Sequence, residues 1–434
     1  KKMIYNNKEI FKIELRSFLA LALISPVIAI THVFRFKTER FFIRGTTISM
    51  GLFGLFFSYP KGSDGHSHLM NSIDHYTNMG FVDFFVECWN IIIQSPTYDV
   101  TDLYIHFLSF FSNSFLNLPY TLHFWAGLVL GYVISKTIIE ILGVNSIKSP
   151  NKITLALLII FILVYTIYSL NAIRISTAGW IALYAAVSLY YKNKRLAIIL
   201  FLLAIQVHLA LAVMVLPILL GFALKSKKKL VLIIWFLSFF FQSSFSVFES
   251  YLPETDVVNN KTKYYVLDQD KLESFNEQTD NNESNFYTVL GPKLYYKFGI
   301  PVLLISFIFI YMKSNNKLYN LLFTVSILLY SFSNLVPYVP SLQGRLVNLS
   351  SLFLIFLIIK YYIDLALNNS NLKIAYDKFN KVLVFVFIIL STPFLLKTIS
   401  HIINTTEPFI LALPLLSVFT NESFSIKDLI IIFI

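Results

Sequence analysis

One cysteine, Cys88, stands in 434 residues. It excludes an intramolecular disulfide and a cysteine metal cluster. Charge is scarce as well: 14% of residues are Asp, Glu, Lys or Arg, against 56% hydrophobic and 17% aromatic. No soluble domain needs that much apolar surface. Alternation of apolar and polar residues is missing too, which excludes a β-barrel and leaves helices. There is no internal repeat and no low-complexity segment. The first apolar run has no small-residue cleavage site behind it, so no cleavable signal peptide is expected. The formal charge of +11 would suit nucleic acid or acidic lipid, but it is distributed as membrane topology requires. Nucleic acid is therefore not an expected partner.

What is present reads as an all-α polytopic integral membrane protein, one transmembrane unit over residues 1–434 with about 12 crossings. Lys1–Arg16 is polar and expected on the membrane surface, and Phe18–Phe34, containing Pro26, is a short first span. Phe41–Tyr59 crosses outward. Residues 60–118 stay outside, where FVDFFVECWNIII and DLYIHFLSFFSNSF are apolar on one side and too short to span, which suits helices lying in the interface. Glu249–Lys297 is the longest hydrophilic stretch, with nine acidic residues against five lysines, and reads as one external loop. Its tyrosines Tyr264, Tyr265, Tyr287, Tyr295 and Tyr296 suit sugars, whose C–H faces pack on aromatic rings.

The segment Leu196–Leu224 carries the sharpest topological signal. Basic clusters mark cytoplasmic loops, and Lys192/Lys194/Arg195 and Lys225/Lys227/Lys228/Lys229 flank it, so both its ends face one side. Its 29 residues exceed one span of about 20 and fall short of two spans with a turn. The expected form is a broken hairpin over residues 196–224 with Gln206-Val207-His208 near its tip. Irregular backbone at that depth is tolerated where it lines a cavity.

Polar residues at the helix mouths then gather on the outer face: Asp64, His66 and His68, Asn171 and Arg174, His208 and Arg345. Two arginines at the outer starts of helices resemble an anion site, because guanidinium forks bind phosphate oxygens and helix starts add backbone donors. A lipid diphosphate sugar would fit. A hydroxyl would attack the anomeric carbon while Arg174 and Arg345 stabilise the departing charge. His208 is the natural base, with its charge change near neutral pH, and Asp64 is the second candidate or orients the acceptor. HSH in GSDGHSHLM has no third ligand fixed by spacing, so no metal and no cofactor is expected.

SDGHSH after the second span, NAIRISTAGWIALY, a basic turn, QVHLALAVMVLP and a late GRLVNLSSLFLI together resemble the EpsG/Wzy family of bacterial polysaccharide polymerases. Where that family has a small residue or proline after the hairpin histidine, this chain has Leu209. The resemblance maps the family's elements onto Asn171, Arg174, His208 and Arg345; His66 and His68 stand beside them as further substrate-binding candidates. It implies a GT-C-like, metal-independent glycosyltransferase at the periplasmic face of the inner membrane. Such an enzyme moves a growing glycan from undecaprenyl diphosphate onto a lipid-linked repeat unit to extend O-antigen, with membrane lipid around it and a chain-length regulator as a protein partner. An O-antigen ligase would use the same donor but carry its histidine in a large external loop, and Glu249–Lys297 has none. A flippase or other transporter should show two equivalent halves and charges at mid-membrane.

Overall fold

In an apolar solvent, backbone donors and acceptors must pair within their own segment, and a helix does this. The computed structural model describes residues 7–33, 35, 38–61, 63–93, 95–97, 100, 102–143, 152–191, 193–240, 285–367, 377–419 and 424–433. Among these, the elements are helices, with one isolated bridge between Phe57 and Thr406. In chain order they are α1 (Asn7–Ile24), α2 (Pro26–Val33), α3 (Glu39–Leu55), α4 (Asp64–Tyr76), α5 (Phe81–Ile92), α6 (Leu103–Ser109), α7 (Leu122–Leu142), α8 (Lys152–Ile162), α9 (Ile173–Tyr190), α10 (Lys194–Val207), α11 (Leu211–Leu224) and α12 (Lys228–Ser238). They continue as α13 (Phe286–Lys313), α14 (Lys317–Leu335), α15 (Pro340–Leu367), α16 (Asp377–Thr405) and α17 (Ile426–Phe433).

The centre is α15. It is apolar on every side, and residues Leu352–Ile359 are each at most 4% exposed, as an all-round hydrophobic helix requires. Beside it, α14 is nearly as enclosed, whereas α16 buries only 28% of its most apolar window and forms an outer wall. On another side α3 and α7 are pressed together through Gly51, Gly54, Gly127 and Gly131, the small residues that allow close approach between membrane helices. A Cβ on Gly54 would collide with the His123 carbonyl oxygen, and one on Gly127 with that of Met50.

Seven helices among the described residues are long and apolar enough to cross a membrane, fewer than the crossings expected. The difference lies in shorter pieces. The first apolar run begins at Asn7, inside the stretch expected to be a surface segment, and it breaks at Ser25. The cause is Pro26, which lacks an N–H and starts α2 instead of continuing α1. The hydrophilic loop also ends earlier than expected: chain from Phe286 onward is already helix, and Tyr295 is fully buried within it. Aromatic packing accounts for this, since the Tyr295 ring stacks on Phe394 at 4.6 Å. Residues 249–284, with Tyr264 and Tyr265, lie outside the described residues.

Residues 60–118 form α4, α5 and α6, the last continued by a π-helical turn, Phe110–Phe115. α5 turns Phe84, Glu87 and Ile91 inward and leaves Phe81, Val82, Phe85, Val86 and Trp89 exposed, a face suited to lipid. The buried Glu87 is satisfied by the Thr97 N–H at 2.9 Å and the Asn90 amide at 3.2 Å. In the apolar run between the basic clusters, α10 packs on α9 and α11 on α14, with the chain extended at His208 between them.

Candidate active site

The site is built where α9, α11 and α15 begin. Pro340 opens α15, and Arg345 sits in its second turn rather than ahead of it. Arg345 lines an open-mouthed cavity with Asn348 from its own helix, Ser176 and Gly179 from α9, and Leu211 and Met214 from α11. The empty space among these side chains is about 350 Å3, open solvent at the mouth included. Below it Tyr165 bonds Ser351 and the Tyr295 hydroxyl, closing the floor with satisfied polar groups. Asn348 differs, because its Oδ1 is buried with no hydrogen-bond partner in the protein.

Arg174 stands in the first turn of α9, next to the cavity-lining Ile175 and Ser176, but is not itself in the lining. It turns to Asp102, with Nη1 2.8 Å from Oδ2. Asp102 is nearly buried and also caps α6 by accepting from the Ile105 N–H at 3.3 Å. Sequence reading missed it. The available signal was an Asp directly before the apolar LYIHFL, the pattern of a helix N-cap. Asp102→Asn is expected to loosen Arg174 and cost about 1 kcal/mol, because the Arg174 side chain is 30% exposed and water takes up its freed donor. Thermal unfolding of the purified variant measures this, and an unchanged midpoint would mean that the ion pair contributes nothing.

Asn171 occupies the turn between the end of α8 and α9, and its Oδ1 is likewise buried without a partner. His208 caps α10 in extended backbone and is 7% exposed. The Ala210 N–H donates to His208 Nδ1 at 3.2 Å. A nitrogen that accepts carries no proton, so the neutral ring holds its hydrogen on Nε2. Leu211, three residues on, is a wall of the cavity, so the start of α11 meets Arg345 and the first turn of α9 at one mouth.

The residues expected after the second span divide. Asp64 is exposed in the first turn of α4, which Ser63 caps by accepting from the His66 N–H at 3.1 Å. Neither Asp64 nor His66 lines the cavity. His68 points into the protein, where burial and, second, the Arg174 charge push it down to about 3. It is therefore neutral at physiological pH and adds no positive charge beside Arg174. Next to it, His123 stacks on Phe57 at 4.4 Å and bonds the Tyr59 hydroxyl through Nδ1 at 3.1 Å. Among the described residues no group of three or more His, Cys, Asp or Glu side chains is arranged to hold a metal ion.

Set against known protein families, residues 81–411 match the EpsG family. The chain belongs to the EpsG family. No curated protein and no solved structure matches it. The EpsG match takes in Arg174, His208 and Arg345 together with Asp102, and ends before reaching Asp64, His66 and His68 at its amino-terminal side. Family membership supports a polysaccharide-polymerase-like role and a glycosyltransferase-like activity for this membrane protein.

Proposed function

We propose that this EpsG-family chain is an O-antigen polymerase, transferring a glycan from undecaprenyl diphosphate onto a lipid-linked repeat unit. The reaction is placed at the periplasmic face of a bacterial inner membrane, in a GT-C-like body. The observation that carries this reading is Arg345 in the wall of a cavity that the first turns of α9 and α11 also line. An arginine with helix starts around it favours a diphosphate, through bidentate hydrogen bonds and the positive ends of the helix dipoles.

In this reading Arg345 holds the diphosphate and Arg174, steadied by Asp102, meets the charge that develops as the bond to the sugar breaks. Their electrostatic help rises in the transition state, where the leaving oxygen takes up negative charge, and this lowers the barrier. His208 serves as a hydrogen-bond donor rather than a base. Its Nδ1 accepts from the Ala210 N–H, which puts the ring hydrogen on Nε2, the side from which it would donate to a phosphate or sugar oxygen. Asn171 and Asn348 offer buried carbonyl oxygens that a sugar hydroxyl would satisfy.

The test is genetic. Deleting the gene in its own bacterium should replace long-chain polysaccharide by a single repeat unit, and restoring the wild-type gene should bring back the long chains. Long chains in the deletion strain would remove the proposal.

A further inference from the structure

Glycosyl transfer needs a group to take the acceptor's proton, and with His208 committed through Nδ1 that group lies elsewhere. Chain following α16 meets the outer face at Thr406 and Glu407. Thr406 pairs with Phe57, the Glu407 N–H donates to the Phe56 carbonyl at 2.8 Å, and the Ser58 N–H donates to the Thr405 carbonyl at 2.8 Å. The turn is thus fastened to the segment joining α3 and α4, whose Phe57 and Tyr59 contact His123. On its other side the His401 ring packs on Tyr168 at 4.9 Å, and Tyr168 begins the turn that leads through Asn171 to Arg174. Glu407 therefore stands on the same face as Arg174, between the α3–α4 segment and the α8–α9 turn.

Its carboxylate is half-buried and has no hydrogen-bond or ion-pair partner among the described residues. A desolvated carboxylate left uncompensated is costly, and such groups concentrate at functional sites. Burial pushes this carboxyl up to about 7. A base near the working pH is the most effective kind.

We infer that Glu407 is the general base of the transfer, taking the proton from the acceptor sugar's hydroxyl. This rests on the polymerase reading above. The hydroxyl oxygen forms the new bond to the anomeric carbon as its proton passes to the Glu407 carboxylate. The bond from that carbon to the diphosphate oxygen breaks, and its electron pair leaves with undecaprenyl diphosphate. The carboxylic acid then returns its proton to water. The other titratable or charged groups on elements packed against this turn include Tyr59, Lys61, Tyr120, His123, Tyr168, Lys397, His401, Lys427 and Asp428.

Purified full-length Glu407→Gln, Glu407→Asp and Arg345→Ala are to be compared with wild type on lipid-linked repeat units, from about pH 5.5 to 9. Donor retention is followed in parallel with a photoreactive polyprenyl diphosphate. Glu407→Gln should lose at least about 100-fold in extension, the scale of a missing general base, while labelling as well as wild type. The wild-type rate should rise with pH through about 7 and level off, and Glu407→Asp, which keeps a carboxylate, should retain a measurable rate that still rises with pH. Wild-type extension by Glu407→Gln beside an inactive Arg345→Ala would overturn the assignment, as would a pH-independent Glu407→Asp rate. If wild type makes no ladder, the polymerase reading falls, and this assignment falls with it. If Glu407→Gln does not fold, Glu407→Asp and the wild-type pH profile decide.

Discussion

Arg345→Ala is expected to lower chain extension by about 100- to 1,000-fold, the cost of removing one preorganised group from a developing negative charge. The variant should insert and purify normally, because Arg345 is only partly buried and lies at a cavity wall rather than within the packed stretch Leu352–Ile359. Arg345→Lys should recover little, since an ammonium is a point charge and cannot replace the two-pronged donor. The readout is product length on a gel from matched amounts of protein. Wild-type lengths from Arg345→Ala would sink the diphosphate role and leave the cavity without an assigned ligand.

Gly127→Val should have the second large effect, and on folding rather than chemistry. Gly127 lies on α7 where α3 crosses it, and the obstacle to a side chain there is the Met50 carbonyl, which belongs to the backbone and has no rotamer to escape into. Overpacking costs about 1–3 kcal/mol where side chains can shift, and a backbone obstacle makes it worse. The two helices would have to separate along a seam that includes Gly51, Gly54 and Gly131. Loss of the monodisperse peak on size exclusion is the expected result. Gly344→Ala is the matched control, because a Cβ there meets nothing within 4 Å and the fold should be unaffected. A well-folded Gly127→Val would show that the α3–α7 contact is looser than described.

The helical class and the EpsG family are legible in the sequence for physical reasons. A chain with 14% charged residues must satisfy its backbone internally, and short polar pieces such as NAIRIS and QVH stand out against apolar surroundings. What escapes such reading depends on contacts between distant residues. Asp102 and Arg174 are 72 positions apart, and nothing local joins them. Phe286–Lys297 reads as loop because it carries lysines and tyrosines, yet the rings of Tyr295 and Tyr296 pack on Phe394 of α16. Glu407 looks like an ordinary tail carboxylate until the turn after α16 is seen fastened to Phe56 and Phe57. Seven helices among the described residues meet the length and hydropathy of a span, and the further crossings expected fall on shorter pieces, because hydropathy registers apolar runs but not how long a helix they form. α11, with 14 residues, falls short of the length needed.

The polymerase claim is tested most directly by incubating the purified protein in detergent with extracted undecaprenyl-diphosphate-linked repeat units and separating the products on a gel. A ladder at multiples of the repeat, abolished in Arg345→Ala, is the predicted result. Labelling of a core-lipid acceptor with no ladder, or no product where a known polymerase gives one, would contradict it.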